Sequence, residues 1–281
     1  MLAGFLLVYL IQNRIDESFG SYRATEEVLL IQDGKFLRKA TVGFESLAAD
    51  LYWLRTVQYF GGKRQDVHNK NFDLLEPLLN VTTDLDPNLK IVYDYGATFL
   101  SEPFPRGASQ PYKGIELLDR GIQNHPKDWR LYLSKGFLYF WYLEDYKKAA
   151  QIFLEGSKIE GAPSWMISTA GRTLTRGGDR ATARELWHIL YQTAETQQQR
   201  DNATIHLKQL DALDEMDSLK AILLRYQEIT GRPPESWADV VRTGLLPQVP
   251  ADPAGQAYVL DRKNLRADVA PTSPLAGLPT R

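Results

Sequence analysis

The 281 residues contain no cysteine, which excludes disulfides, thiolate nucleophiles and cysteine-ligated zinc together and leaves export possible. Histidine is scarce. His68, His125, His188 and His206 are dispersed, and none forms a His-x-x-x-His pair or stands beside a convincing carboxylate motif. An excess of one charge is missing too. The 33 Lys and Arg are offset by 35 Asp and Glu, so a formal net charge of -2 gives no overall attraction to nucleic acid. Any charged binding surface has to be local. No apolar run reaches the roughly 20 residues that a helix needs to cross a bilayer. Met1 to Ile11 (MLAGFLLVYLI) is uncharged but ends abruptly at Gln12, Asn13 and Arg14, and no basic residues precede it. We read residues 1–20 as an N-terminal hydrophobic anchor or signal segment, with the true start upstream or only the outer part of the anchor present.

Three short patterns approach known chemistry and miss it. Gly61-Gly62-Lys63 ends like a phosphate loop, but Val57 occupies the earlier glycine position and no Ser or Thr follows the lysine. Asp84, Asp86 and Asn88 have the first spacings of a calcium loop, yet Leu89 replaces the glycine and Tyr95 the closing glutamate. Asn80-Val81-Thr82 fits a glycosylation acceptor but falls inside a helical pattern. With no gathering of polar groups in view, the reading is of a non-enzymatic protein without metal or cofactor.

What the chain has is aromatic residues and glycines in a recurring setting. Residues Glu26 to Lys39 read as two short apolar stretches around Asp33-Gly34, a dipeptide that suits a hairpin turn. From Phe44 to Phe60 the pattern is helical, with Leu47, Leu51, Leu54 and Tyr59 among its apolar positions, and Gly61-Gly62 is expected to stop it. A second helix runs from about Lys70 to Thr83. Further helix pairs follow around Gly96, Gly136 and Gly171, spaced 40 and then 35 residues apart, and SEPFPRGASQP interrupts the first of them. Glycine at such positions lets two helix backbones approach closely, while aromatics fill the gaps to the next pair.

These stretches resemble tetratricopeptide repeats, whose 34-residue pattern places small residues where paired helices touch. The resemblance implies a mainly α fold, a right-handed tetratricopeptide-like helical repeat array over residues 44–200 with short β-hairpins near both ends. Residues 21–43 form a hairpin and linker in this reading, 201–269 capping helices and a small C-terminal hairpin unit, and 270–281 a disordered tail. Gly231, Pro234, Trp237, Gly244, Leu245, Leu246, Pro250, Asp252, Pro253, Gly255 and Tyr258 resemble the globular end of type II secretion pseudopilins. The order of parts, from hydrophobic segment to end unit, is similar to a group of bacterial membrane-anchored tetratricopeptide-repeat proteins. That similarity implies an N-terminal anchor in the cytoplasmic membrane and a periplasmic soluble part, and it supplies no activity.

Carried across by repeat position, the resemblance places Lys90, Tyr93, Arg130, Leu133, Phe137, Phe140, Trp141, Arg172 and Arg176 in a partner-binding groove. Aromatic and arginine side chains suit an extended peptide with apolar and acidic residues. Core packing for the aromatics and one solvated stripe for Arg172, Arg176 and Arg180 are the competing readings. The expected function is a membrane-associated scaffold or adaptor that binds a protein partner and supports assembly of a membrane complex. The alternative is a permanent structural subunit of a larger membrane or filamentous assembly.

Overall fold

A computed structural model describes residues 33–66 and 71–277, and among these the fold is mainly helical, with eleven helices and one two-stranded sheet. The expected anchor at residues 1–20, and residues 21–32 of the expected N-terminal hairpin and linker, lie outside the described residues. No helix among the described residues is long and apolar enough to cross a membrane. The chain divides into two units, Met1–Glu144 with Glu155–Ala162 and Asp145–Leu154 with Pro163–Arg281.

In the first unit the expected hairpin is corrected where it can be seen. Residues Gly34–Ala40 form helix α1, and Asp33 is its N-cap, its carboxylate accepting the Phe36 N–H at 3.0 Å. Asp-Gly serves as cap and first helical residue here, because Gly34 presses against the next layer. A Cβ on it would lie 2.6 Å from that of Asp84. Helix α2 (Glu45–Gln65) also runs past its expected stop, since Gly61 and Gly62 lie inside it. Both face open space, so they weaken the helix only by their backbone freedom, roughly 1 kcal/mol each, and the packed opposite face outweighs that.

Helices α3 (Leu75–Leu85), α4 (Lys90–Ser101), α5 (Pro111–Asn124) and α6 (Trp129–Trp141) follow in this unit. Pro111 sits in the first turn of α5, where its missing N–H has no partner to lose. The insertion between α4 and α5 is a surface loop. Leu75, Leu78, Leu79, Val92, Leu117 and Leu118 are almost wholly buried, and Phe60 stacks on Phe99 at 4.0 Å between centroids. Glycines bring the helices close. Gly96 on α4 abuts Leu79 and Leu117, Gly114 on α5 faces the Ala97 carbonyl, and Gly121 faces the Tyr93 ring.

The cross-links between these helices repeat at a nearly constant offset. Asn80 on α3 accepts from Arg120 on α5, 40 residues on, and Glu76 pairs with Lys113, 37 residues on. On the other layer Asp94 of α4 accepts from Ser134 of α6 at 2.5 Å, again 40 residues on, and Lys90 meets Asp128, 38 residues on. A constant difference means that α3 runs parallel to α5 and α4 to α6, each pair displaced by one helix hairpin.

The second unit holds the first part of α7 (Tyr146–Ser157), then α8 (Trp165–Arg176), α9 (Arg180–Gln192), α10 (Gln197–Thr230) and α11 (Trp237–Arg242). Gly171 of α8 lies against the indole of Trp187 on α9, which is fully buried. Helix α10 is one continuous rod. Thr196 and Gln199 cap its start reciprocally, and Gly231 ends it in the left-handed conformation at φ 74°. Arg180 reaches Asp214 and Asp217, and Arg184 reaches Asp211 and Asp214, so α9 and α10 are antiparallel and zipped by charge.

The expected C-terminal hairpin is present as β1 (Val259–Asp261) paired antiparallel with β2 (Arg266–Asp268), Leu260 opposite Ala267. It packs with Trp237 and Val240 of α11 on Leu219, Leu223 and Tyr226 of α10. The expected disorder from residue 270 is corrected for residues 270–277. Leu275 is buried, and Ser273 donates to the Asp252 carboxylate at 2.5 Å, so a buried acceptor holds a stretch that composition alone marks as loose.

Tyr258 gives this unit a pH signature. Its hydroxyl donates to Glu215 at 2.6 Å, and burial first, then that carboxylate, push it above the ordinary phenol range. The folded-state value is raised, so the stabilisation is complete below the unfolded phenol value near ~10 and is lost as pH rises beyond it. Thermal melts between neutral and strongly alkaline pH are expected to show this loss. Tyr258→Phe is expected to flatten the alkaline limb while lowering stability at neutral pH by about 1–3 kcal/mol.

Candidate functional site

The nine groove residues fall in both units, and each unit is taken by itself. In the first, Lys90 opens α4 and Arg130 lies in the first turn of α6, and the parallel displacement of these helices brings the two cations to one cleft. Asp128 stands between them. It caps α6 through the Arg130 N–H, receives the Lys90 ammonium at 2.8 Å and lies 3.7 Å from the Arg130 guanidinium. Burial works against its charge, but the Lys90 hydrogen bond, the Arg130 N–H and both cations outweigh this and hold the carboxyl below the usual carboxylate range. The Arg130 guanidinium lies 4.7 Å above the Trp129 ring. His125, Lys127 and Glu160 complete the lining. The arrangement offers two exposed cations and an aromatic edge, a geometry suited to a carboxylate-bearing segment.

Tyr93 is corrected. It is buried, its ring fills the space left by Gly121, its hydroxyl donates to the Pro87 carbonyl, and Asn124 donates to it at 3.0 Å. Burial pushes the pKa of its hydroxyl above the ordinary phenol range. A glycine on the facing helix, Gly121, decides which way this ring points, and repeat position alone does not reveal that. Leu133, Phe137 and Phe140 are half-buried, whereas Trp141 is 61% exposed and meets the Phe140 ring edge-on at 4.8 Å.

A second cleft of the first unit is basic. Lys35, Arg38 and Lys39 of α1 line it with Arg120 of α5, against the carboxylates of Glu45 and Asp84. The three α1 cations make no ion pair among the described residues, so a locally positive surface exists on a chain of net charge -2.

In the second unit Arg172 and Arg176 are exposed on α8, and the Arg176 guanidinium lies 5.7 Å from the centre of the Tyr146 ring. Arg180 departs from the solvated-stripe reading through its pairing with α10. His206 stacks on Trp187 at 4.1 Å between centroids and bonds Gln209 at 2.7 Å; burial, with Arg172 nearby, lowers it from the ordinary imidazole range. An open cleft beside it is floored by Trp165, Ile167, Leu190 and Ile205 and rimmed by Gln198 and Asn202.

Among the described residues no group of three or more His, Asp or Glu is placed to hold a metal. The outer face of α2 is apolar, and it carries residues that the sequence reading names only as apolar positions of a helical pattern. Phe44, Leu47, Leu51 and Leu54 are 66%, 58%, 61% and 53% exposed. Ala49, Thr56, Tyr59, Phe60 and Lys63 on its other side are buried. Their spacing was available as a signal, since a helix apolar on two opposite faces carries little net amphipathicity and expects cover on both. No family model, curated protein or solved structure matches this chain.

Proposed function

We propose that the chain is a non-enzymatic, membrane-associated scaffold or adaptor that binds a protein partner through helical-repeat surfaces and supports assembly of a membrane complex. The observation that carries this reading is the 40-residue displacement of parallel helices in the first unit, which sets Lys90 and Arg130 side by side at one cleft. It supports a tetratricopeptide-like array there, with first helices α4 and α6 lining one layer and second helices α3 and α5 the other. The partner segment that fits is extended, with a carboxylate for the two cations and apolar side chains for Trp129 and Trp141. Anchoring through residues 1–20 sets the cleft at a bacterial cytoplasmic membrane, on its periplasmic side.

The test is purification of the full chain from native membranes in mild detergent, wild type beside Arg130→Glu and Trp141→Ala. One membrane protein is expected to accompany the wild type, to leave as salt rises, and to fall at least about tenfold with Arg130→Glu, whose exposed side chain leaves folding intact. Recovery that neither substitution changes overturns the cleft as the binding site. A companion retained in fixed proportion through high salt favours the permanent-subunit alternative.

A further inference from the structure

We infer that the exposed side of α1 is a contact for an anionic phospholipid bilayer, Lys35, Arg38 and Lys39 meeting its phosphate groups while Phe36 and Val42 enter the interface. The contact rests on the membrane-associated reading for the presence of a bilayer and is independent of the cleft at Lys90 and Arg130. Helix α1 turns two residues inward, Gly34 onto Asp84 and Leu37 onto the cluster of Ala49, Val81 and Leu85. Steps of three and four residues put Lys35, Arg38 and Lys39 on one outward strip, where a cleft of about 750 Å³ collects them with Arg120 of α5. Phe36 stands on the next strip and is 62% exposed.

The charges ask for an anion. Lys35 lies in the first turn of α1, where the helix dipole repels a cation, and Asp33, the acid beside it, is engaged as the N-cap. Lys35 with Arg38 and Lys35 with Lys39 are like-charge pairs three and four residues apart, and each is unfavourable in a short helix. Among the described residues none of the three forms an ion pair, although Glu45 and Asp84 line the same cleft, so four cations face two carboxylates. Val42, in the turn after α1, is held at φ 44°, a conformation that strains a β-branched residue, and it is 81% exposed. Glycine or asparagine fits that backbone better, so the fold itself does not ask for valine there. Phe36 and Val42 lie outside the cleft that holds the cations, so a free phosphate or an acidic segment seated in it leaves both in water. A bilayer takes both parts, headgroups for the cations and the layer beneath them for the ring and the valine. Helix α1 is also the first described element after residues 1–20, and a linker of residues 21–32 keeps it within short reach of an anchored segment.

The absence of cysteine supplies the test. Ala40→Cys, exposed on α1 beside Phe36, carries the chain's only thiol to a polarity-sensitive dye. Tyr112→Cys is the control, exposed on α5 and about 12 Å along the helix axis from Arg120. The full chain is reconstituted into vesicles of phosphatidylcholine, with or without an equal part of phosphatidylglycerol. In the anionic vesicles the Ala40 dye is expected to shift to the blue and to be quenched by brominated acyl chains, while the Tyr112 dye stays in water. Lys35→Gln, Arg38→Gln and Lys39→Gln together are expected to weaken the contact roughly a hundredfold with helical circular dichroism unchanged. Val42→Asn suits the positive φ better, so it is expected to melt no lower than wild type and still to reduce the quenching. A lower melt with quenching intact makes Val42 a residue of the fold and overturns its place in the interface. An Ala40 dye that stays in water in both kinds of vesicle, or that answers inorganic phosphate or polyglutamate in detergent but no vesicle, overturns the inference. A chain that leaves the vesicles in high salt yet shows the dye contact at low salt refutes the anchor and keeps this contact. One retained through high salt with its Ala40 dye in water keeps the anchor and refutes the contact.

Discussion

Trp187→Ala is expected to lower the stability of the second unit by about 3–5 kcal/mol, the largest effect of any single truncation considered for this chain. The indole is wholly buried between α8 and α10. One edge lies where a Cβ on Gly171 would come within 2.8 Å, and its face stacks on His206. Alanine there opens a void that neither neighbour can close. Gly171 has no side chain to extend, and Gln209 ties the imidazole in place. The indole N–H finds no acceptor in the structure, so Trp187→Phe removes volume without a hydrogen bond and costs less than alanine. Trp141→Ala, at an exposed aromatic, is expected to stay within about 0.5 kcal/mol. Hydrogen exchange read separately on α8–α10 and on α6 separates the two effects, and equal losses for Trp187→Ala and Trp141→Ala would refute this assignment of core and surface.

That contrast marks how far the sequence is legible. Gly96 and Gly171 announce packing roles because small residues recurring in helical surroundings leave room for a neighbouring element, and that room is taken by the Leu79 and Leu117 side chains at Gly96 and by the Trp187 ring at Gly171. The C-terminal hairpin and the Gly231 helix end were readable for the same kind of reason, since turn and cap chemistry is local. Asp33-Gly34 shows the limit of local chemistry. The dipeptide starts a hairpin or caps a helix equally well, and the packing of Gly34 on Asp84 decides. Leu47, Leu51 and Leu54 count toward a helix in any pattern. Only the fold tells that α2 spends its rings, not its leucines, on the core.

The groove residues divide along the same line. Lys90 and Arg130 come together because the 40-residue spacing of the glycines is also the spacing of the helices that carry them. Tyr93 turns inward because of Gly121, a long-range choice invisible within one helix. The acidic row Asp211, Asp214 and Asp217 on α10, with steps of three, was a signal for the Arg180 and Arg184 cross-links that a search for binding arginines passes over.

Gly114→Val is expected to destabilise the first unit by about 1–3 kcal/mol or more, because at this position the obstacle is backbone. A Cβ would sit 2.7 Å from the Ala97 carbonyl oxygen and 3.0 Å from Leu138, and it would collide with the Ser101 hydroxyl. A methyl group pressed on a leucine tip can be relieved by a rotamer change, but the Ala97 carbonyl is fixed in the α4 ladder and also accepts the Ser101 hydroxyl at 2.6 Å. Helix α5 then has to move away from α4 as a body, which loosens Leu117 and Leu118 and breaks the registry of Arg120 with Asn80. Gly62→Ala is the matched control with the opposite sign, since its Cβ meets nothing and alanine gains up to about 1 kcal/mol of helix propensity. Denaturation of the pair, followed by exchange protection in α4 and α5, separates glycine as a contact from glycine as a weak helix former. If Gly114→Val retains wild-type protection there, α4 and α5 do not approach as closely as the glycine requires, and the displacement that brings Lys90 to Arg130 loses its basis.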